Sequence, residues 1–217
     1  MNKLQSITKA CKITDQIFSD IIKNFSIFNS EKQISNFIIK EIRDRKLRPA
    51  FAPIVATGKN AAEIHHKPTK DWYNGFCVID LGVRVNGYCS DMTRTIFIGK
   101  PSVKEKLLYD LLLNAQISCI KKIKPGISCK ELARYNVKML GKHKNQMIHA
   151  LGHGVGKYIH TKPKISLKSN DALKKGDIIT IEPGIYYRTK YGIRIEDTLT
   201  ATGKILTRSR KELYLFK

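Results

Sequence analysis

The chain has 217 residues, 42% hydrophobic and 27% charged, which is ample for one buried core and excludes wholesale disorder. No apolar run approaches the roughly 20 residues of a bilayer span, and the polar N-terminal stretch lacks a secretory apolar segment, so a cytoplasmic protein without membrane contact is expected. The net charge of +22 comes from lysines dispersed along the whole chain, which reads as a solvated basic surface and not as a specific nucleic-acid site.

Residues 3–25 carry Leu4, Ile7, Cys11, Ile17, Phe18, Ile21 and Ile22 near helical spacing and predict an amphipathic helix. A second helix is predicted to start at Ser30, with Gln33 placed as in a capping box, and to end before Pro49. Residues 51–57 read as a strand, followed by a loop through Gly58-Lys59-Asn60. Residues 76–85 and 88–98 read as two strands around Asn86-Gly87, a strong signal for a two-residue hairpin turn. Helices are predicted over 102–122 and from Ser128 to Leu140, and the remainder from 145 reads as strands punctuated by glycine. Helices ahead of strands in each half predict an α+β domain and not an alternating parallel sheet. Five cysteines without CxxC spacing read as reduced thiols.

With Asn86-Gly87 in the turn, Val85 faces Tyr88. The register then sets Gly82 opposite Asp91 and makes Asp80 the diagonal neighbour of Asp91, about 7–8 Å away at Cα. Two carboxylates are expected to converge there over a glycine that leaves the space open. Asp80 lies in the apolar run Cys77–Leu81, and buried like charges demand a cation or a shared proton. The cation is the favoured reading over two solvent-facing aspartates. Glu182 and Glu196 likewise end β-branched runs, Ile178–Ile181 and Ile193–Ile195. His149, His153 and His160, interleaved with Gly152, Gly154 and Gly156, predict a close-packed loop around a ligand. Four acids and one histidine form a hard, oxygen-rich set suited to Mn²⁺, Fe²⁺ or Co²⁺ better than to a structural zinc.

In this order, Val78–Thr95, His149–His160, Thr180–Tyr186 and Gly192–Thr198 closely resemble the pita-bread metallopeptidases, which include methionine aminopeptidases, Xaa-Pro aminopeptidases and prolidases. The resemblance extends over nearly the whole chain. It implies an α+β pita-bread (creatinase/aminopeptidase-like) fold, with curved antiparallel sheets and helices on the outer face. It also implies two divalent ions (Mn²⁺, Co²⁺ or Fe²⁺) held by Asp80, Asp91, His153, Glu182 and Glu196, with Asp91 and Glu196 bridging them. Glu182 is the implied proton shuttle, and His65 and His160 the implied hydrogen-bond donors to the scissile carbonyl. His149 is implied to position the substrate's backbone. Beside His65, His66 is the other candidate for the upstream histidine.

Ile54–Asn60, His149 four residues before His153, Ile181–Tyr186 and Gly192–Asp197 resemble the Xaa-Pro branch. The expected activity is therefore a metal-dependent aminopeptidase that removes single N-terminal residues from peptides with a free N-terminus. Methionine aminopeptidase is the alternative, because residues 1–217 are expected to form a single catalytic domain without the separate N-terminal domain usual in Xaa-Pro peptidases. A non-catalytic RNA- or protein-binding relative is the remaining reading; it is expected to have lost metal ligands, whereas all five are present here.

Overall fold

Capping chemistry sets the helix starts in the computed structural model, which describes residues 1–217. α1 (Lys3–Lys23) begins after Asn2, whose side chain accepts from Gln5 N while Gln5 Oε1 accepts from Asn2 N. α2 (Glu31–Asp44) begins after Ser30, which accepts from Gln33 N; the Gln33 side chain accepts from Asn29 N instead of closing the predicted box on Ser30. α3 (Val103–Lys121) and α4 (Cys129–Leu140) are capped by Ser102 and Ser128.

The strands in chain order are β1 (Arg48–Pro49), β2 (Ile54–Thr57), β3 (Gly75–Leu81), β4 (Val83–Val85), β5 (Tyr88–Cys89), β6 (Met92–Ile98) and β7 (Gly152–Gly154). They continue with β8 (Thr161–Ile165), β9 (Ile178–Ile181), β10 (Gly184–Tyr187), β11 (Tyr191–Arg194), β12 (Asp197–Thr200) and β13 (Leu215–Phe216). Two four-stranded sheets run β13-β6-β3-β2 and β12-β9-β7-β8, beside a three-stranded β1-β4-β5 and the hairpin β10-β11. Every pairing is antiparallel except β13 on β6. The strand predicted over 51–57 narrows to β2, and Gly58–Ala62 form a 3-10 turn in place of the expected loop.

Around the turn, Val85 pairs with Tyr88, and Asn86 and Gly87 both adopt positive φ, as the hairpin requires. The same register carries on into Leu81↔Met92 and Asp80↔Thr93, so Asp80 and Asp91 stand diagonally as predicted. The strands are interrupted at Gly82. A Cβ on Gly82 would collide with the carbonyl oxygen of Ser90, so this glycine does not hold space open over the acids; it lets the two backbones close up. The segment around His153 is also corrected. It is the strand β7, and Gly152 and Gly154 are needed because a Cβ would strike the carbonyls of Thr180 and Lys162.

Alternation along β3 and β6 divides the sheet into a core face and a site face. Cys77, Ile79, Leu81, Met92, Ile96 and Ile98 pack against Ile17, Phe18 and Ile21 of α1 and Ile34, Ile38 and Ile42 of α2. Each such side chain contributes roughly 1.5–3 kcal/mol on burial. Asp80 and Thr93, one residue out of phase, therefore face the other way. The second half repeats the plan: Cys119, Ile120, Cys129 and Leu132 from α3 and α4 cover Leu151, Ile165, Ile179, Ile181 and Leu199. All five cysteines are buried and unpaired. No helix is long and apolar enough to cross a membrane.

Candidate active site

The acids on the inner face of the sheets converge on one cavity of about 350 Å³. Its wall includes Asp80, Asp91, His153, Glu182 and Glu196, together with His65, His66, Ile159, His160 and Arg194. Asp80 is the penultimate residue of β3, Asp91 precedes β6, His153 is central in β7, Glu182 follows β9, and Glu196 lies between β11 and β12. Five separate segments thus meet at one place, and a ligand atom each from Asp91, His153 and Glu196 lie within 4.8 Å of one another. Glu182 joins them through His153, its Oε1 being 3.4 Å from His153 Nε2, while Asp91 Oδ2 stands 3.5 Å from the same nitrogen.

Three of these acids are held by main-chain and side-chain bonds behind them. Asp91 exchanges bonds with Thr198: its N–H donates to Thr198 Oγ1, and that hydroxyl donates to Asp91 O. Glu182 N donates to Leu151 O at 2.8 Å, tying the end of β9 to the approach of β7. Glu196 N donates to Thr93 O, and Thr93 Oγ1 donates to Glu196 Oε2 at 2.7 Å. Below them, the buried guanidinium of Arg94 donates to the carbonyls of Thr93 and Glu196 and to Asp197 Oδ1. Asp197, fully buried, has its carboxyl held down at about 2: burial opposes ionisation, but Arg94 and Lys211 outweigh it.

Arg194 is a group whose structural role the sequence reading missed. Its Nη2 donates to Asp80 Oδ2 at 2.8 Å, its Nε to Thr93 Oγ1 and its Nη1 to Tyr186 OH. Tyr186 OH in turn meets His149 Nε2 at 3.0 Å, and His149 Nδ1 meets Ala150 O at 2.7 Å. With the arginine donating to the phenol, the phenol donates to Nε2 and the proton of His149 resides on Nδ1. Burial and the positive charge of Arg194 push His149 down to about 4, in keeping with that neutral ring. His149 is half-buried, with Nδ1 3.8 Å from Glu182 Oε2. The signal for this chain was faint: Arg194 and Tyr186 pair only because β10 and β11 form a hairpin in which Gly184 lies opposite Arg194.

His65 and His66 are distinguished by their partners. His66 is buried, with Nε2 at 2.7 Å from Glu31 Oε2 and Nδ1 at 3.2 Å from Glu63 Oε2. His65 is exposed, lines the cavity and has no hydrogen bond within the chain. His160 is also exposed at the cavity, its ring edge-on to that of His153 with centroids 4.3 Å apart. His153 itself directs Nδ1 to Gly154 O at 3.1 Å, which leaves Nε2 free as a ligand atom.

The electrostatics of the cluster call for positive charge. Burial, then the neighbouring Glu196 and Asp80, push the Asp91 carboxyl well above its usual range. Burial and Glu196 do the same to Glu182, and burial and Asp80 raise Glu196 to about 7. Two buried oxygens, Asp80 Oδ1 and Glu196 Oε1, have no hydrogen-bond partner at all. Orphaned, mutually repelling carboxylate oxygens beside an imidazole nitrogen with its lone pair free are a donor set that fits hard divalent cations.

Comparison with known proteins agrees with this geometry. The model of metallopeptidase family M24 matches residues 5–203. The chain is 39% identical to an Xaa-Pro dipeptidase of Pyrococcus furiosus over 97% of its own length and 63% of the relative's. It superposes on a prolidase from Thermococcus sibiricus with a TM-score of 0.92 at 33% identity, covering 98% of this chain and 60% of that one. An X-Pro aminopeptidase from Thermotoga maritima gives a TM-score of 0.93 at 30% identity, covering 98% and 63%. The chain therefore spans about three fifths of the length of these relatives. Its fold is the α+β pita-bread fold of those neighbours, and the chain belongs to metallopeptidase family M24.

Proposed function

We propose that this chain carries the catalytic site of a metal-dependent peptidase that removes the N-terminal residue of peptides, with proline following the residue removed. The carrying observation is the meeting of Asp80, Asp91, His153, Glu182 and Glu196 in one cavity, with two buried carboxylate oxygens unpartnered. These five residues would hold two divalent ions, Mn²⁺, Co²⁺ or Fe²⁺. Bound there, such ions supply Lewis acidity and lower the pKa of water toward neutrality.

The rest of the chemistry belongs to the chain. Glu182 is the most exposed of the four acids and lines the cavity, its Oε2 3.8 Å from His149 Nδ1. It takes the proton of the attacking water and returns it to the leaving nitrogen. His65 and His160, exposed on the wall, donate N–H bonds to the scissile carbonyl and stabilise the oxyanion that develops on it. Burial and the nearby His153 hold the His160 pKa below its usual value, so it serves as a neutral donor. Arg194, Tyr186 and His149 keep Asp80 and the His149 ring in one orientation. Proline at the second position lacks an amide hydrogen, so the site must bind that residue without accepting a bond from it. The names of the similar proteins, Xaa-Pro dipeptidase, prolidase and X-Pro aminopeptidase, support this specificity.

A paired assay tests it. With Mn²⁺ or Co²⁺, catalytic efficiency on Ala-Pro and Ala-Pro-Ala should exceed that on Met-Ala-Ser. The reverse order overturns the proline specificity in favour of methionine aminopeptidase activity. Hydrolysis of none of them by metal-loaded protein overturns the enzymatic reading.

A further inference from the structure

We propose that Glu31, at the start of α2 and remote from the substrate, is the positioning residue for the cavity histidine His65. The inference rests on the role of His65 given above and extends it to a group that touches neither peptide nor metal ligand.

His65 lies in a segment, 58–74, that contains no strand and must be shaped by something outside itself. Beyond the 3-10 turn of Gly58–Ala62, it carries the backbone bonds Glu63 N to Asn60 O and His66 N to Glu63 O. The Glu31 carboxylate, with no exposure, supplies the missing framework. Its Oε1 accepts from Thr57 N at 2.7 Å, Thr57 Oγ1 at 2.9 Å and Asn60 Nδ2 at 3.0 Å. Its Oε2 accepts from His66 Nε2 at 2.7 Å, Thr69 N at 3.0 Å and Thr69 Oγ1 at 3.1 Å. One oxygen thus holds the entry to the segment and the other its exit. The N-terminus of α2 adds to this, as Glu31 N donates to Asp71 O and Lys32 N to Thr69 O.

His65 is the residue between these two grips. Its own ring is unbonded, so its place is set by the backbone at Asn60 and His66. On the far side the 3-10 turn rests directly on β11, where a Cβ on Gly192 would strike the Ala61 carbonyl. The segment is therefore held between α2 and the strand that ends in Arg194. A carboxylate with six donors has little freedom of its own, so it transmits the position of α2 to the histidine. Displacing a reacting-group donor by about 1 Å costs on the order of a hundredfold in rate, which sets the scale of the effect.

The test is a double-mutant cycle on the metal-loaded protein. Glu31→Gln keeps the shape of the side chain but cannot accept all six bonds. We expect it to lower kcat on Ala-Pro by roughly ten- to a hundredfold, with metal content unchanged, and Glu31→Asp to recover part of the loss. In a His65→Ala background the same substitution should change kcat less than twofold. A separate readout does not depend on turnover: the His65 ring resonances, assigned by their disappearance in His65→Ala, should shift or broaden in Glu31→Gln. If Glu31→Gln fails to fold, Thr69→Val, which removes one donor at the exit grip, serves in its place with a smaller change of the same kind. Equal loss of kcat with and without His65 overturns the proposal and makes Glu31 a purely structural residue. Unmoved His65 resonances overturn it too, even if the protein hydrolyses no peptide. Wild-type kcat in His65→Ala would instead strike down the assigned role of His65, and this proposal with it.

Discussion

Two groups of carboxylates are withdrawn from water in this chain, and they meet opposite fates. Glu31 is fully buried yet accepts six hydrogen bonds, and its carboxyl stays below the usual range: burial raises it, but the bonds from Thr57, Thr69, Asn60 and His66 more than compensate. Asp91, Glu182 and Glu196 are raised, face one another, and together with Asp80 leave two oxygens unpartnered. The first group has its counter-dipoles built in by the chain; the second is left incomplete by it. Burial alone therefore does not mark a functional acid. What marks it is burial without internal compensation, because that deficit costs stability that only an added cation restores.

The largest effects are expected at the deficient cluster. Dialysis against a chelator should abolish peptidase activity, and Mn²⁺ or Co²⁺ should restore it. Asp80→Asn and Glu196→Gln should each reduce activity by more than about a hundredfold, because losing a ligand outweighs the ten- to hundredfold cost typical of its supporting shell. Elemental analysis should find the bound metal reduced in both variants. Full activity in protein with less than one divalent ion per chain would end the two-ion reading.

A smaller effect has opposite signs in the two clusters. In chelated protein at pH 8, Glu196→Gln should raise the unfolding free energy by about 1 kcal/mol, since it removes a repelled, half-unpartnered charge. Glu31→Ala should lower it by about 3 kcal/mol, since several buried donors lose their acceptor. Urea denaturation of the two variants measures both. Destabilisation by Glu196→Gln in the absence of metal would show that the site acids are compensated by the chain after all.

The smallest effect is the pH dependence of the Glu31 contribution. The folded-state pKa lies below the ordinary value of 4.5. The linked stability is therefore present above that value and is lost as pH falls through the folded pKa. The gap in unfolding free energy between wild type and Glu31→Gln should be constant from pH 8 to about 5 and narrow below about pH 4.5. A gap that widens toward acid would mean that Glu31 is protonated in the folded protein.

Where the sequence could be read, local chemistry carried the reading. The cap Ser30, the inward stripe of α1 and the helices near 102–122 and 128–140 belong to short stretches of chain and were legible as such. Asn86-Gly87 gave the hairpin register, and with it the diagonal of Asp80 and Asp91, because a period of two propagates from one turn down both strands. Acids interrupting β-branched runs were visible at Glu182 and Glu196 for the same reason. Features made by backbone approach were not legible. Gly82, Gly152 and Gly154 read as room for a ligand, whereas each makes room for a neighbouring carbonyl, and no residue pattern announces that neighbour.

By itself, then, the sequence determined the helices and the long hairpin and marked four acids set in apolar strand runs, since these follow from spacing along the chain and the cost of burying charge; the choice of His153 among three nearby histidines came from the family resemblance. Only the tertiary structure decided which of two adjacent histidines is free. The resemblance favoured His65 and kept His66 as the other candidate; Glu31, distant from them in the chain, binds the His66 ring and leaves that of His65 without a partner. It also decided the chain of bonds from Asp80 through Arg194 and Tyr186 to His149. Such assignments depend on which donors meet which acceptors across the closed fold, and hydrogen bonds between segments far apart in the chain exist only once packing has brought them to within about 3 Å.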